Sequence, residues 1–90
     1  MPDSEKTKGL ALLGRAVREL REARQMSQTE LAAAVGVEQL RIDALELGRL
    51  DPDYVLLVRL AKALGVGPGA LVVRAEKLAS EARAPTDTQP

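Results

Sequence analysis

Ser27 to Leu47 reads SQTELAAAVGVEQLRIDALEL, and this stretch decides the fold. Ser27 with Glu30 three residues on is the capping-box arrangement, in which each side chain bonds the other's backbone amide where a helix begins. Leu31, Ala32 and Val35 then fall on one face of that helix, at helical rather than strand spacing. Val37, Ile42 and Leu45 are the apolar residues of the second half. Gly36 stands between the two sets, where a tight turn needs a residue free to adopt left-handed backbone angles. The stretch therefore predicts two short helices, over about residues 28–47, meeting at a glycine.

The flanking sequence supplies partners for that pair. From Lys8, Leu10, Leu13, Val17 and Leu20 recur at helical spacing, with charged residues around the rest of the cylinder, which predicts a first helix ending near Gln25. Residues 1–7 carry charge without an apolar repeat and are expected to form a flexible arm. A third helix is expected from about Glu38 to Leu47, stopped by Gly48. Asp51 before Pro52 predicts the cap and first position of a fourth helix, with Leu56, Leu57, Leu60, Ala61 and Leu64 as its buried stripe and Gly65 as its end. Pro68 opens a fifth helix over about 68–83, on which Leu71, Ala75, Leu78 and Ala82 follow a four-three-four spacing. Residues 84–90 are polar, contain two prolines and are expected to be disordered. The expectation is an all-α protein, one compact five-helix bundle spanning residues 8–83.

Composition narrows what such a bundle can do. Ninety residues make one small domain. With 13 basic and 13 acidic residues, no global positive field draws the chain to nucleic acid or an anionic membrane, so any such affinity must be local. The absence of Cys and His removes thiolate chemistry, the usual metal ligands and the usual neutral-pH base, which argues against an enzyme and implies no metal or cofactor. No apolar run approaches the roughly 18 residues of a membrane span. Tyr54 is the only aromatic residue, too few for a base-stacking platform. Asp51 and Asp53 lack a third carboxylate at ligand spacing, and Gly65, Gly67 and Gly69 lack the strand and Lys of a phosphate loop.

Counted from Gln28, apolar residues stand fourth (Leu31), eighth (Val35), tenth (Val37), fifteenth (Ile42) and eighteenth (Leu45), with a small residue fifth (Ala32) and Gly ninth (Gly36). Such a joint pattern is far more specific than a lone glycine between helices, and it is the helix-turn-helix arrangement. The chain resembles the Cro/repressor-type (XRE-like) helix-turn-helix regulators over roughly Leu13 to Val72. The resemblance rests on LGRAVRELREARQMSQTELAAAVGV, on LELG, on Asp51 with Pro52, and on LVRLAKALGV. It implies a lambda-repressor-like fold and a cytoplasmic bacterial protein, associated with the nucleoid when bound. It also implies an internal ion pair between Arg21 and Glu46.

In such domains the third helix lies in the major groove of double-stranded DNA and the start of the second holds a phosphate. Carried over, Gln28 and Thr29 become phosphate contacts, Glu38, Gln39, Leu40, Arg41 and Ala44 line the reading face, and Arg49 meets a phosphate from the following loop. Gln39 suits adenine, Arg41 guanine or a phosphate, and Leu40 or Ala44 a thymine methyl. The chain departs from the family in its charge: only Arg41 and Arg49 are basic between Glu38 and Tyr54, against Glu38, Asp43, Glu46, Asp51 and Asp53. An acidic face weakens phosphate contact. Two functions therefore stand: a small regulator, a repressor acting as a homodimer, or a protein-interaction module that retains the fold. The expected dimer seam is Leu71, Val72, Ala75 and Leu78, the alternative being that the fifth helix only closes its own core.

Overall fold

The computed structural model describes residues 2–87, as five helices: α1 (Pro2–Ala23), α2 (Gln28–Val35), α3 (Gln39–Glu46), α4 (Tyr54–Ala63) and α5 (Pro68–Asp87). Two helix boundaries lie further out than the sequence predicts. α1 begins at Pro2, whose fixed φ suits a first helical turn, so residues 2–7 are helix rather than a loose arm. α5 continues to Asp87, running through Pro85 at the loss of one backbone hydrogen bond instead of ending before Ala84. Met1 of the expected arm and residues 88–90 of the expected tail lie outside the described residues.

The short helices are fixed by their ends. Ser27 Oγ accepts from the Glu30 amide at 3.0 Å and Glu30 Oε1 accepts from the Ser27 amide at 2.8 Å, completing the capping box at the start of α2. Gly36 ends α2 with φ +86°, and its amide donates to the Ala32 carbonyl at 2.8 Å. A β-carbon at Gly36 would meet nothing within 4 Å, so backbone angle rather than space requires glycine there. α1 stops at Ala23, two residues before the expected end, in a turn where Gln25 takes φ +58°. The cap of α4 is also displaced: Asp53, not Asp51, accepts from the Leu56 amide at 2.8 Å. Asp51 instead lies 3.5 Å from Lys6 of α1, an exposed pair worth little to stability. Pro52 is buried beneath the loop, which moves the helix start two residues on.

The core is built from Val17 of α1, Leu31, Ala32 and Val35 of α2, Ile42 and Leu45 of α3, Leu56, Leu60 and Leu64 of the α4 segment, and Leu71 of α5. α1 packs on α5 and α3, while α2 and its neighbours α3 and α4 form the other half. α4 and α5 turn through 90° at Gly65–Gly67. The surface of α1 that meets α3 is seated closely against it. A β-carbon at Gly14, in the middle of α1, would overlap the carbonyl oxygens of Leu45 and Glu46. One turn earlier, Ala11 Cα stands 2.8 Å from where a β-carbon on Gly48 would lie. Ala11, Gly14 and Arg21 share one face of α1, so the end of α3 is seated directly on the α1 backbone.

Candidate nucleic-acid interface

α3 is held from within and open without. Ile42 and Leu45 anchor it in the core, Ala44 is half-buried, and Glu38, Gln39, Leu40 and Arg41 are exposed at its first turn beside the start of α2. Within α2's first turn, the Glu30 amide bonds Ser27 Oγ and the Leu31 amide bonds the Ser27 carbonyl. Helix geometry leaves the Gln28 and Thr29 amides without an intrahelical partner, directed at the positive end of the helix.

A continuous run of hydrogen bonds links this surface to α1. Thr29 Oγ1 donates to Gln39 Oε1 at 3.3 Å, Gln39 Nε2 to Gln28 Oε1 at 3.3 Å, and Gln28 Nε2 to Glu46 Oε1 at 2.9 Å and Asp43 Oδ1 at 3.3 Å. Glu46 in turn meets Arg21 through two parallel bonds, Nε to Oε2 at 2.7 Å and Nη2 to Oε1 at 3.1 Å. Arg21 Nη1 adds a bond to the Met26 carbonyl at 2.8 Å, closing the loop between α1 and α2. The Glu46 side chain is 4% exposed and that of Arg21 11%, so the pair lies in a low-dielectric setting where geometry decides its worth. The hydrogen bond to Glu46 raises the Arg21 pKa above its ordinary value; partial desolvation works against this, and the charges of Glu46 and Glu22 add to it.

The network redistributes the roles expected from sequence. Gln28 stands where a phosphate contact is expected, but both hydrogens of its side-chain amide point inward, to Glu46 and Asp43. What α2 offers an anion is its open backbone amides. Gln39 uses one acceptor position and one amide hydrogen within the network, leaving one of each outward. Arg41 lines a groove of about 140 Å³ together with Arg59 of α4, Val37, Asp53 and Val55. Sequence reading missed Arg59, because it lies beyond the loop and only the fold returns it to α3's first turn. Arg49 is exposed after Gly48, its amide bonded to the Ala44 carbonyl at 2.8 Å.

The acidic residues that set this chain apart mostly have internal partners. Glu46 pairs with Arg21, Asp43 accepts from Gln28, Asp51 faces Lys6, and Asp53 caps α4. Glu38, the N-cap of α3, makes no capping bond and no ion pair among the described residues. Of the residues expected at a dimer seam, Leu71 and Leu78 are buried within the bundle. Val72 is exposed, Ala75 is half-buried, and both line an apolar groove of about 270 Å³ with Gly9, Leu12 and Leu13 of α1.

Two helices joined by a three-residue turn, the first opening on free amides and the second seated on α1 with its first turn exposed, define a helix-turn-helix domain. Residues 17–71 match the helix-turn-helix family model, and the chain belongs to that family, in its Cro/repressor (XRE-type) branch. It is 47% identical over 49 residues to an uncharacterized HTH-type transcriptional regulator of Methanothermobacter thermautotrophicus, covering 54% of this chain and 71% of that one. Of longer mycobacterial relatives it spans 28%. The restriction-modification controller protein C.AhdI of Aeromonas hydrophila superposes with a TM-score of 0.68 at 34% identity, over 69% of this chain and 94% of that one. The clp gene regulator ClgR of Corynebacterium glutamicum superposes at 0.81 with 28% identity, over 88% and 84%.

Proposed function

We propose that this chain binds double-stranded DNA sequence-selectively with α3 in the major groove, and that it regulates transcription in the cytoplasm as a homodimer, repressing by occupying its site. One observation carries the reading: the run of bonds from Thr29 through Gln39, Gln28 and Glu46 to Arg21 immobilises α3's first turn while leaving Gln39, Leu40 and Arg41 exposed. Preorganised groups of this kind bind without an added ordering cost. The free donor and acceptor of Gln39 match the N6 and N7 pattern of adenine. The amides of Gln28 and Thr29 suit one backbone phosphate, and Arg41, Arg49 and Arg59 suit others. Two-fold pairing would set two α3 helices about 34 Å apart, one turn of DNA. With Leu71 and Leu78 enclosed, pairing would use the apolar groove lined by Val72, Ala75 and Leu12.

The test is selection of bound duplexes from a random pool, followed by a salt titration of the winner. Enrichment of one sequence, with affinity falling about 0.9 log units per phosphate neutralised for each log unit of salt, supports the reading. Gln39→Ala is then expected to relax preference at one base pair by about 1–3 kcal/mol. Absence of any enriched duplex at low salt refutes it.

A second reading is an interaction module that binds another protein through the α3–α4 side. It is favoured by the large apolar side chains exposed there, Leu40, Leu47, Tyr54 and Val55. That reading gains if no duplex is enriched.

A further inference from the structure

Resting on the DNA reading above, we infer that α3 recognises thymine by its C5 methyl group, through Leu40, a base preference separate from the hydrogen bonds that Gln39 can make. The first turn of α3 has three outward side chains, and the structure divides their work. Gln39 is half consumed by Thr29 and Gln28. Arg41 faces the groove it shares with Arg59, where two guanidiniums beside Asp53 suit a phosphate. Leu40 is 78% exposed, the most exposed large apolar side chain among the described residues, and it takes no part in the core.

A leucine on that turn finds few apolar partners in DNA. Every other major-groove base edge presents a hydrogen-bond donor or acceptor; thymine alone adds a methyl. Ala44, one turn further along the same face, is small and half-buried, so it does not hold the helix away from the groove floor. Arg41 and Arg49 are also exposed and basic, and suit the phosphates beside a groove. An occupant carrying apolar groups between two rows of anions is duplex DNA with thymines at the reading positions.

The experiment scans the enriched duplex, replacing each thymine in turn by deoxyuridine, which removes the methyl and leaves base pairing intact. At the same position a second pair of duplexes carries cytosine or 5-methylcytosine. Loss of the methyl contact is expected to weaken the wild-type protein about fourfold at one thymine per half-site. 5-Methylcytosine is expected to exceed cytosine by the same factor. Because methyl burial releases no counterion, both ratios are expected to stay constant as salt is raised while absolute affinity falls. Leu40→Ala, at a position too exposed to affect folding, is expected to bring both ratios to about one. Arg41→Ala is expected to lower affinity for all four duplexes and leave the ratios unchanged. A thymine-to-uracil ratio of one in the wild type, or a ratio that survives Leu40→Ala, overturns the methyl contact while the DNA reading stands. Failure to enrich any duplex overturns both.

Discussion

Gly9 and Gly14 lie on the same helix, and the structure assigns opposite signs to the same substitution at the two. Alanine in place of glycine inside a helix gains roughly 0.5–1 kcal/mol, because glycine gives up more backbone freedom on folding. At Gly9 a β-carbon meets nothing within 4 Å, so Gly9→Ala should realise that gain. At Gly14 the same carbon overlaps the backbone carbonyl oxygens of Leu45 and Glu46, which cannot rotate aside as a flexible side chain would. Overpacking of this kind costs about 1–3 kcal/mol, and here it also pushes Glu46 away from Arg21. The upper end of that range, about 3 kcal/mol, applies; less the helix gain, it leaves Gly14→Ala less stable than the wild type by about 2–2.5 kcal/mol. A domain of this size shifts its Tm by roughly 4–8 °C per kcal/mol, so Gly9→Ala should melt a few degrees higher and Gly14→Ala roughly 8–20 °C lower. Thermal unfolding followed by far-ultraviolet circular dichroism, at one fixed protein concentration, measures both. A rise in Tm for Gly14→Ala comparable to that for Gly9→Ala would show that α1 and α3 are not seated backbone to backbone.

The ion pair invites a second measurement. Arg21→Met leaves the nearly buried Glu46 with Gln28 as its only side-chain partner among the described residues and should cost about 3 kcal/mol in urea unfolding, whereas Arg21→Met combined with Glu46→Leu should recover most of that loss. Because Glu46 raises the Arg21 pKa, the stability Arg21 supplies is complete below its unfolded value and is lost only as pH climbs through the raised folded value. Its double-mutant coupling should therefore stay constant across roughly pH 6–9, and a decline within that window would contradict the pairing. Glu38→Ser supplies the missing cap of α3 and removes the unpaired acid of the reading face; it should raise thermal stability by about 0.5–1 kcal/mol and strengthen binding to random-sequence duplex, with unchanged affinity counting against that face. For self-association, sedimentation should find Val72→Asp folded and monomeric, while Leu78→Asp should fail to fold, since one side chain is exposed and the other enclosed.

The helix pair was legible because every signal that defines it is local. Ser27, Glu30 and Gly36 act within one turn of their own positions, and Leu31, Val35, Ile42 and Leu45 mark inward faces by spacing alone. What spacing cannot reveal is which of two inward faces meets a neighbour and which meets a second copy. Leu71 and Leu78 carry the periodicity of a dimer seam, but the same periodicity serves a helix that closes its own core on α1, and only the packing separates the two. The same limit explains the cap of α4. Asp51 and Asp53 are chemically equivalent caps, and the choice falls to Asp53 because Pro52 is buried in the loop, a tertiary requirement. Gly14 went unnoticed for a related reason: glycine inside a helix looks like a local defect until the partner backbone is in view.

The charge around α3 is distributed differently in the fold than along the chain. Counted along the chain, five acids oppose two arginines between Glu38 and Tyr54, which looks hostile to phosphate. In the fold, Glu46, Asp43 and Asp53 serve Arg21, Gln28 and the α4 amides, and Arg59 joins Arg41 from outside the counted segment. A carboxylate that already accepts hydrogen bonds from its own protein presents a weaker field outward than its formal charge suggests, since the donors' dipoles oppose it. Glu46 and Asp43 thus form the internal side of the network that holds Gln28 and, through it, Gln39. Removing them to make the surface more basic would loosen the elements that read, so Asp43→Asn, which keeps the geometry but loses the charge, should strengthen non-specific binding less than Glu38→Ser does.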